Sequence, residues 1–188
     1  KGAFNQFRDN RNDLCGNLGD TLRLPLRAAT EEEIVYSSQD IGSLQEAVDS
    51  LLPGGTLLLP ADSVQTDSVT IDRHIRVKSE SLVEPAERPV LVSVSTRVPV
   101  ISLIGDAILE VEGVRFSSGR IGLLMGSDSE ASLTNTTLSN NRSYGLQLWN
   151  SSIVKLNDSA ILGNGLIGMA IIDEARAIVS NTLIAQNP

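Results

Sequence analysis

Aromatic residues are scarce in this chain of 188: three Phe, two Tyr and one Trp. Any core must therefore be aliphatic, filled by Leu, Ile, Val and Ala rather than by rings. Cysteine is nearly absent. Cys15 stands alone, which excludes an intrachain disulfide and a cysteine-based metal site. It reads as a small, partly buried residue or as half of a bridge to another chain. His74 is the only histidine, so no second imidazole is at hand for a metal centre. No window approaches the 18 or so consecutive apolar residues of a membrane span. Positive charge is also short. Fifteen Lys and Arg against 23 Asp and Glu leave a net charge of −8, which argues against a nucleic-acid or anionic-membrane partner. The length suits one domain with a real core. Lys1 in place of Met suggests a processed chain or a piece of a longer one.

What the chain does have is a repeat. "LTNTTLSNN" (133–141), "LNDSAILGN" (156–164) and "VSNTLIAQN" (179–187) each begin 23 residues after the last. Aligning the segments that begin at 100, 123, 146 and 169 gives five apolar columns. These are Ile101/Leu123/Leu146/Met169, Leu103/Met125/Leu148/Ile171, Leu109/Ala131/Val154/Ala177, Val111/Leu133/Leu156/Val179 and Phe116/Leu138/Ile161/Ile184. Within a row the first two columns are two residues apart, the strand period, so they share a face. Polar and Gly-rich turns recur too often for helices. A row of about 23 residues with three short strands cannot bury its inner face alone, but rows stacked about 4.8 Å apart can. Two further columns carry Asn or Asp: Asn135/Asp158/Asn181 and Asn141/Asn164/Asn187, with Gly113 and Gly119 in the first row. Asn tolerates left-handed backbone at a turn, and stacked amides pass hydrogen bonds from row to row. Both columns are expected to act as ladders.

The rows resemble coils of the right-handed parallel β-helix, the pectate-lyase-like superfamily, over roughly 41–188. The expected fold is all-β: a parallel β-helix solenoid over 40–188, with regular coils of 22–23 residues across 99–188. "SLQEAVDSLLPGG" reads as a helix over 43–53, opened by a Ser43/Glu46 capping box and closed by Pro53-Gly54-Gly55. The resemblance implies that such a helix plugs the first coil. "TLLLPA", "SVTIDRHIRVKS" and "RPVLVSV" read as strands of the first, less regular coils. Residues 1–39 are left as an N-terminal arm and connector, its Pro25 and acidic run discouraging regular structure.

Chemistry is hard to find. Most acids of the repeat (Asp106, Asp128, Asp173 and Glu174 among them) fall in one turn, and no column stacks acids in consecutive coils. The paired carboxylates of glycoside hydrolysis are not evident. Calcium with an Arg or Lys base, which the resemblance implies for lyases, finds no ligand set. His74, between Arg73 and Arg76, reads as a surface strand residue, and Trp149 as a cover for a strand face. Four N-x-[S/T] triplets, at Asn135, Asn141, Asn150 and Asn157, read as by-products of Asn-rich turns. No cofactor or metal is expected, and the reading leans away from an enzyme.

The last row is as apolar inside as the others and is expected to lie open, since solenoids need caps. Phe7 followed three later by Asn10 copies the Leu138/Asn141, Ile161/Asn164 and Ile184/Asn187 relation. The expected function is a structural, extracellular or cell-surface subunit that polymerises with itself head to tail. Gly2, Phe4, Phe7, Asn10 and Leu14 of one copy would dock on Met169, Ile171, Ala177, Val179 and Ile184 of the next. Two alternatives stand beside it. One is a polysaccharide-binding or lyase-like protein, with Trp149, Arg142, Lys155 and Asp128 as nearest candidates and a surface polysaccharide as partner. The other is a fragment of a tandem β-helix adhesin.

Overall fold

The computed structural model describes residues 29–37, 42–80 and 88–188. Every strand pairing among them is parallel, and the strands form three sheets. The first holds seven strands in the order β1 (Glu31–Val35), β2 (Leu51–Leu59), β5 (Ile75–Ser79), β8 (Ile108–Glu112), β11 (Glu130–Thr134), β14 (Ile153–Asn157) and β17 (Arg176–Ser180). The second holds β4 (Val69–Ile71), β7 (Ile101–Leu103), β10 (Ile121–Met125), β13 (Tyr144–Leu148) and β16 (Ile167–Ile171). The third holds β3 (Ser63–Thr66), β6 (Val90–Ser93), β9 (Arg115–Ser117), β12 (Thr137–Ser139), β15 (Ala160–Leu162) and β18 (Leu183–Ala185). Each coil contributes one strand to each sheet in turn, which is a parallel β-helix.

The observed register joins the five apolar columns rung by rung. Ala131 pairs with Leu109 and Val154, Leu138 with Phe116 and Ile161, Met125 with Leu103 and Leu148. These side chains line a single, mostly aliphatic core, with Phe116 fully buried in it and Tyr36 buried at its N-terminal end. Small hydroxyls fill the tight corners, with Ser129 and Ser152 both at 0% exposure.

Three left-handed positions turn the chain in each regular coil. Gly105, Ser127, Asn150 and Asp173 form one column, Gly113, Asn135, Asp158 and Asn181 the second, and Ser118, Asn140, Gly163 and Gln186 the third. All have φ between 45° and 71°, where Asn, Asp and Gly are least penalised. Of the acids grouped near one turn in the sequence, Asp173 belongs to the first column and Asp106, Asp128 and Glu174 are exposed residues directly beside it.

The N-terminal end is guarded. Helix α1 (Leu44–Ser50) opens on the full Ser43/Glu46 capping box and buries Leu44, Ala47 and Val48. It is shorter than the 43–53 expected. Leu51 leaves in extended conformation and is itself fully buried, so the strand begins before Pro53, whose ring disfavours helix at the residue ahead of it. Gln45 then acts as a surrogate strand. Its amide donates to Thr70 O at 3.0 Å and accepts from Thr70 N–H at 2.8 Å, sealing the edge strand β4.

The acidic run also departs from expectation. Instead of discouraging regular structure, Glu31–Val35 forms β1, parallel to β2, with Ile34 buried beneath three exposed glutamates. Charges on an outermost strand block further pairing, so the acids serve that position. "SVTIDRHIRVKS" is two strands rather than one, broken at Asp72–His74, and β3 was not foreseen.

Candidate functional site

Two surfaces stand out: the last coil and the outer face of the seven-stranded sheet. On the last coil the core columns emerge into the open. Leu148, Leu156 and Ile161 are exposed by 2% or less, whereas their rung partners Ile171, Val179 and Ile184 are exposed by 47%, 44% and 42%. Met169 and Ala177 are partly buried against the core. These five are the residues expected to form the acceptor. The expected donors Gly2, Phe4, Phe7, Asn10 and Leu14 lie outside the described residues, as does Cys15.

One Asn column forms a continuous side-chain ladder beside this surface. Asn141 Oδ1 accepts from Gly119 N–H at 3.1 Å, Asn164 Oδ1 accepts from Asn141 N–H and Nδ2, and Asn187 Oδ1 accepts from Asn164 N–H and Nδ2. Each amide also donates backward, to Phe116 O, Leu138 O and Ile161 O respectively. The ladder is buried at Asn141 and Asn164, where an unpaired amide would be costly. Gly122, Gly145 and Gly168 run alongside it. A Cβ on any of them would fall within 3 Å of a ladder amide.

The Asn135, Asp158 and Asn181 column is different and requires a correction. These residues are exposed left-handed turn positions, and among the described residues no side-chain bond joins them; Asp158 accepts from Asn157 in its own coil. The rung-to-rung link sits one residue later, in hydroxyls. Ser159 Oγ accepts from Thr136 N–H and Thr182 Oγ1 from Ser159 N–H. Sequence reasoning missed this column; its only signal was a hydroxyl recurring at the same place in three rows.

On the outer face of the seven-stranded sheet, Glu110 joins two residues of an earlier strand region, His74 and Arg76. His74 Nε2 lies 2.8 Å from Glu110 Oε1, and Arg76 Nε lies 3.3 Å from Oε2 while Arg76 Nη1 donates to Gly54 O. Lys78 pairs with Glu112 at 3.0 Å. Partial burial would by itself raise the Glu110 carboxyl. The hydrogen bond from His74, the Arg76 charge and hydrogen bond, and the His74 charge outweigh it and hold the group below its ordinary value of 4.5. A depressed folded-state value stabilises the protein above the unfolded value and is lost as pH falls through the folded one. Glu110→Gln is therefore expected to flatten the stability–pH slope just below pH 4.5. Urea titrations at several acidic pH values measure that slope, and equal slopes in both proteins would contradict the coupling.

A shallow groove of about 390 Å³ lies beside these pairs, lined by Glu110, Glu112, Glu130, Ser132 and Lys155 among others. Glu110 and Glu112 are each engaged by a cation, so neither stands ready as an acid or base. Among the described residues no group of three or more His, Cys, Asp or Glu side chains is placed to hold a metal ion. Of the saccharide candidates, the fold brings Trp149 and Asp128 to equivalent corners of adjacent coils and places Arg142 and Lys155 elsewhere. Trp149, 39% exposed, and Asp128 sit at the corners that follow β13 and β10. Arg142 lies at the corner after β12, and Lys155 on the outer face of β14.

Residues 96–188 match the family model described as the right handed beta helix region. No curated protein and no solved structure matches the chain significantly.

Proposed function

The chain is a right-handed parallel β-helix, and from its exposed last coil we propose a non-enzymatic structural subunit that assembles head to tail. The N-terminal arm of one copy lies on residues 169–187 of the next. A contact between two different surfaces repeats into a fibre, a role that suits an extracellular or cell-surface building block.

The observation that carries this reading is the jump in exposure from 2% or less to 42–47% between the last two rungs of three core columns. Fully covering an aliphatic side chain stabilises by about 1.5–3 kcal/mol, so three half-covered ones leave roughly 2–4 kcal/mol unrealised. The ladder adds direction. Within it, each Asn N–H donates to the amide oxygen of the next rung. Asn187 N–H has no such acceptor among the described residues, and its Nδ2 turns back to Ala185 O at 2.9 Å. Phe7 and Asn10 have the spacing of Ile184 and Asn187, so Phe7 over Ile184 would set Asn10 over Asn187. At the other end, the acidic β1 closes the first sheet and Gln45 of α1 covers the edge strand β4 of the second.

Size-exclusion chromatography and negative-stain imaging test this on the full chain, the chain lacking residues 1–20, and Val179→Asp. The full chain is expected to form filaments and both variants to remain monomeric. Filaments that persist after the deletion, or a full chain that stays monomeric at high concentration, would overturn the proposal.

A further inference from the structure

Asn164-Gly165 is the one Asn-Gly pair in the sequence, and the fold requires both members. Asn164 is the central rung of the amide ladder. Gly165 passes so close to Arg142 that a Cβ would collide with the Arg142 carbonyl. Asn-Gly is also the dipeptide in which backbone attack on the side-chain amide is least hindered, because glycine offers no Cβ to obstruct it. The neighbouring rungs differ. Asn141 is followed by Arg142, and Asn187 by Pro188, which has no backbone N–H to attack with.

We infer that Asn164 is a latent deamidation site which the ladder keeps unreactive while the last coils stay stacked. In the reaction the deprotonated backbone nitrogen of Gly165 bonds to Asn164 Cγ, the Cγ–Nδ2 bond breaks, and ammonia leaves with the proton it needs. Water then opens the cyclic imide at one of its two carbonyls, giving aspartate or isoaspartate. The folded protein blocks both partners. Asn164 Oδ1 accepts two hydrogen bonds from Asn141, and Nδ2 donates to Leu138 O and Asn187 Oδ1, so the amide cannot swing toward its own backbone. Gly165 N–H is held by Asn141 O at 2.8 Å.

The product cannot rejoin the ladder. A carboxylate keeps the acceptor toward Asn141 but faces Leu138 O and Asn187 Oδ1 with no donor, and isoaspartate adds a backbone carbon that breaks the register. Local opening of the last coils is thereby converted into permanent damage.

Peptide mapping by mass spectrometry tests this after incubation at mildly alkaline pH, with the full chain folded in one arm and urea-denatured in the other. Deamidation at Asn164 is expected to dominate in urea and to run about tenfold or more slower when folded, as a site that reacts only through local opening must. Asn187→Ala removes the oxygen that anchors Asn164 from the next rung. It is expected to raise the rate at Asn164 in a chain whose circular dichroism remains native. Equal rates folded and denatured, or a folded Asn187→Ala chain with an unchanged rate, would overturn the inference.

Discussion

Asn141→Leu is expected to lower the unfolding free energy by roughly 2–5 kcal/mol, although leucine is the more apolar residue and the site is almost fully buried. Asn141 Oδ1 accepts from the buried Gly119 N–H at 3.1 Å, and its Nδ2 donates to Phe116 O and Asn164 Oδ1. Leucine leaves the Gly119 N–H facing hydrocarbon, which costs about 1–3 kcal/mol, and removes the hydrogen bonds to Phe116 O and Asn164 Oδ1, worth about 0.5–1.5 kcal/mol each. Gains from the extra apolar surface do not offset this, since the space is shaped for an amide. Asn157→Ala, on an exposed strand position, is the control, expected within about 0.5 kcal/mol of the parent. Chemical denaturation with the slope held common measures all three proteins. A double variant with Asn164→Leu should cost less than the two single changes summed, because rungs in contact are coupled. Full additivity would show that the amides act singly rather than as a chain.

The distinction between the two Asn columns marks how much of the molecule was legible in the sequence. The apolar columns were readable because a buried strand face repeats every second residue and recurs at 22 or 23 residues. The Asn141 column was readable because it keeps a fixed offset of three from a core residue, Leu138, Ile161 or Ile184. Its assignment of the same role to Asn135, Asp158 and Asn181 failed for a physical reason: asparagine serves a left-handed backbone and a side-chain ladder equally well. Burial, which separates the two uses, does not show in the letters. The hydroxyl column was hidden because Thr136, Ser159 and Thr182 look like ordinary turn residues. The Glu110 site was hidden by a break in period. Ile75 pairs with Leu109, 34 residues on, so no regular spacing leads from His74 to its carboxylate. The N-terminal strand was missed because an acidic run reads as solvated, and here solvation of one face is what an edge requires.

Gly145→Ala is expected to cost about 3 kcal/mol or more, the upper end for forcing one methyl group into a packed interior. The added Cβ would lie 2.5 Å from Ile161 Cγ2, 2.7 Å from Asn164 Nδ2 and 2.7 Å from Gly168 O. The isoleucine can rotate away only within a core that is already filled. The amide is held by the ladder and the carbonyl is backbone, so relief requires the neighbouring coils to move apart. The same substitution at Gly168 meets Asn187 Nδ2 at 2.7 Å and Ile184 Cγ2 at 2.9 Å, yet should cost less, because Ile184 is 42% exposed and the last coil can move outward. Gly126→Ala meets nothing nearer than 3.9 Å and is expected to stay within about 0.5 kcal/mol of the parent. Unfolding midpoints should therefore rank Gly126→Ala above Gly168→Ala above Gly145→Ala. An inverted order between the last two would mean that the terminal coil is packed as firmly as the interior. That could only hold if something covers Ile171, Val179 and Ile184 in solution, so running the series above and below the concentration at which filaments form separates intrinsic packing from packing supplied by a neighbour.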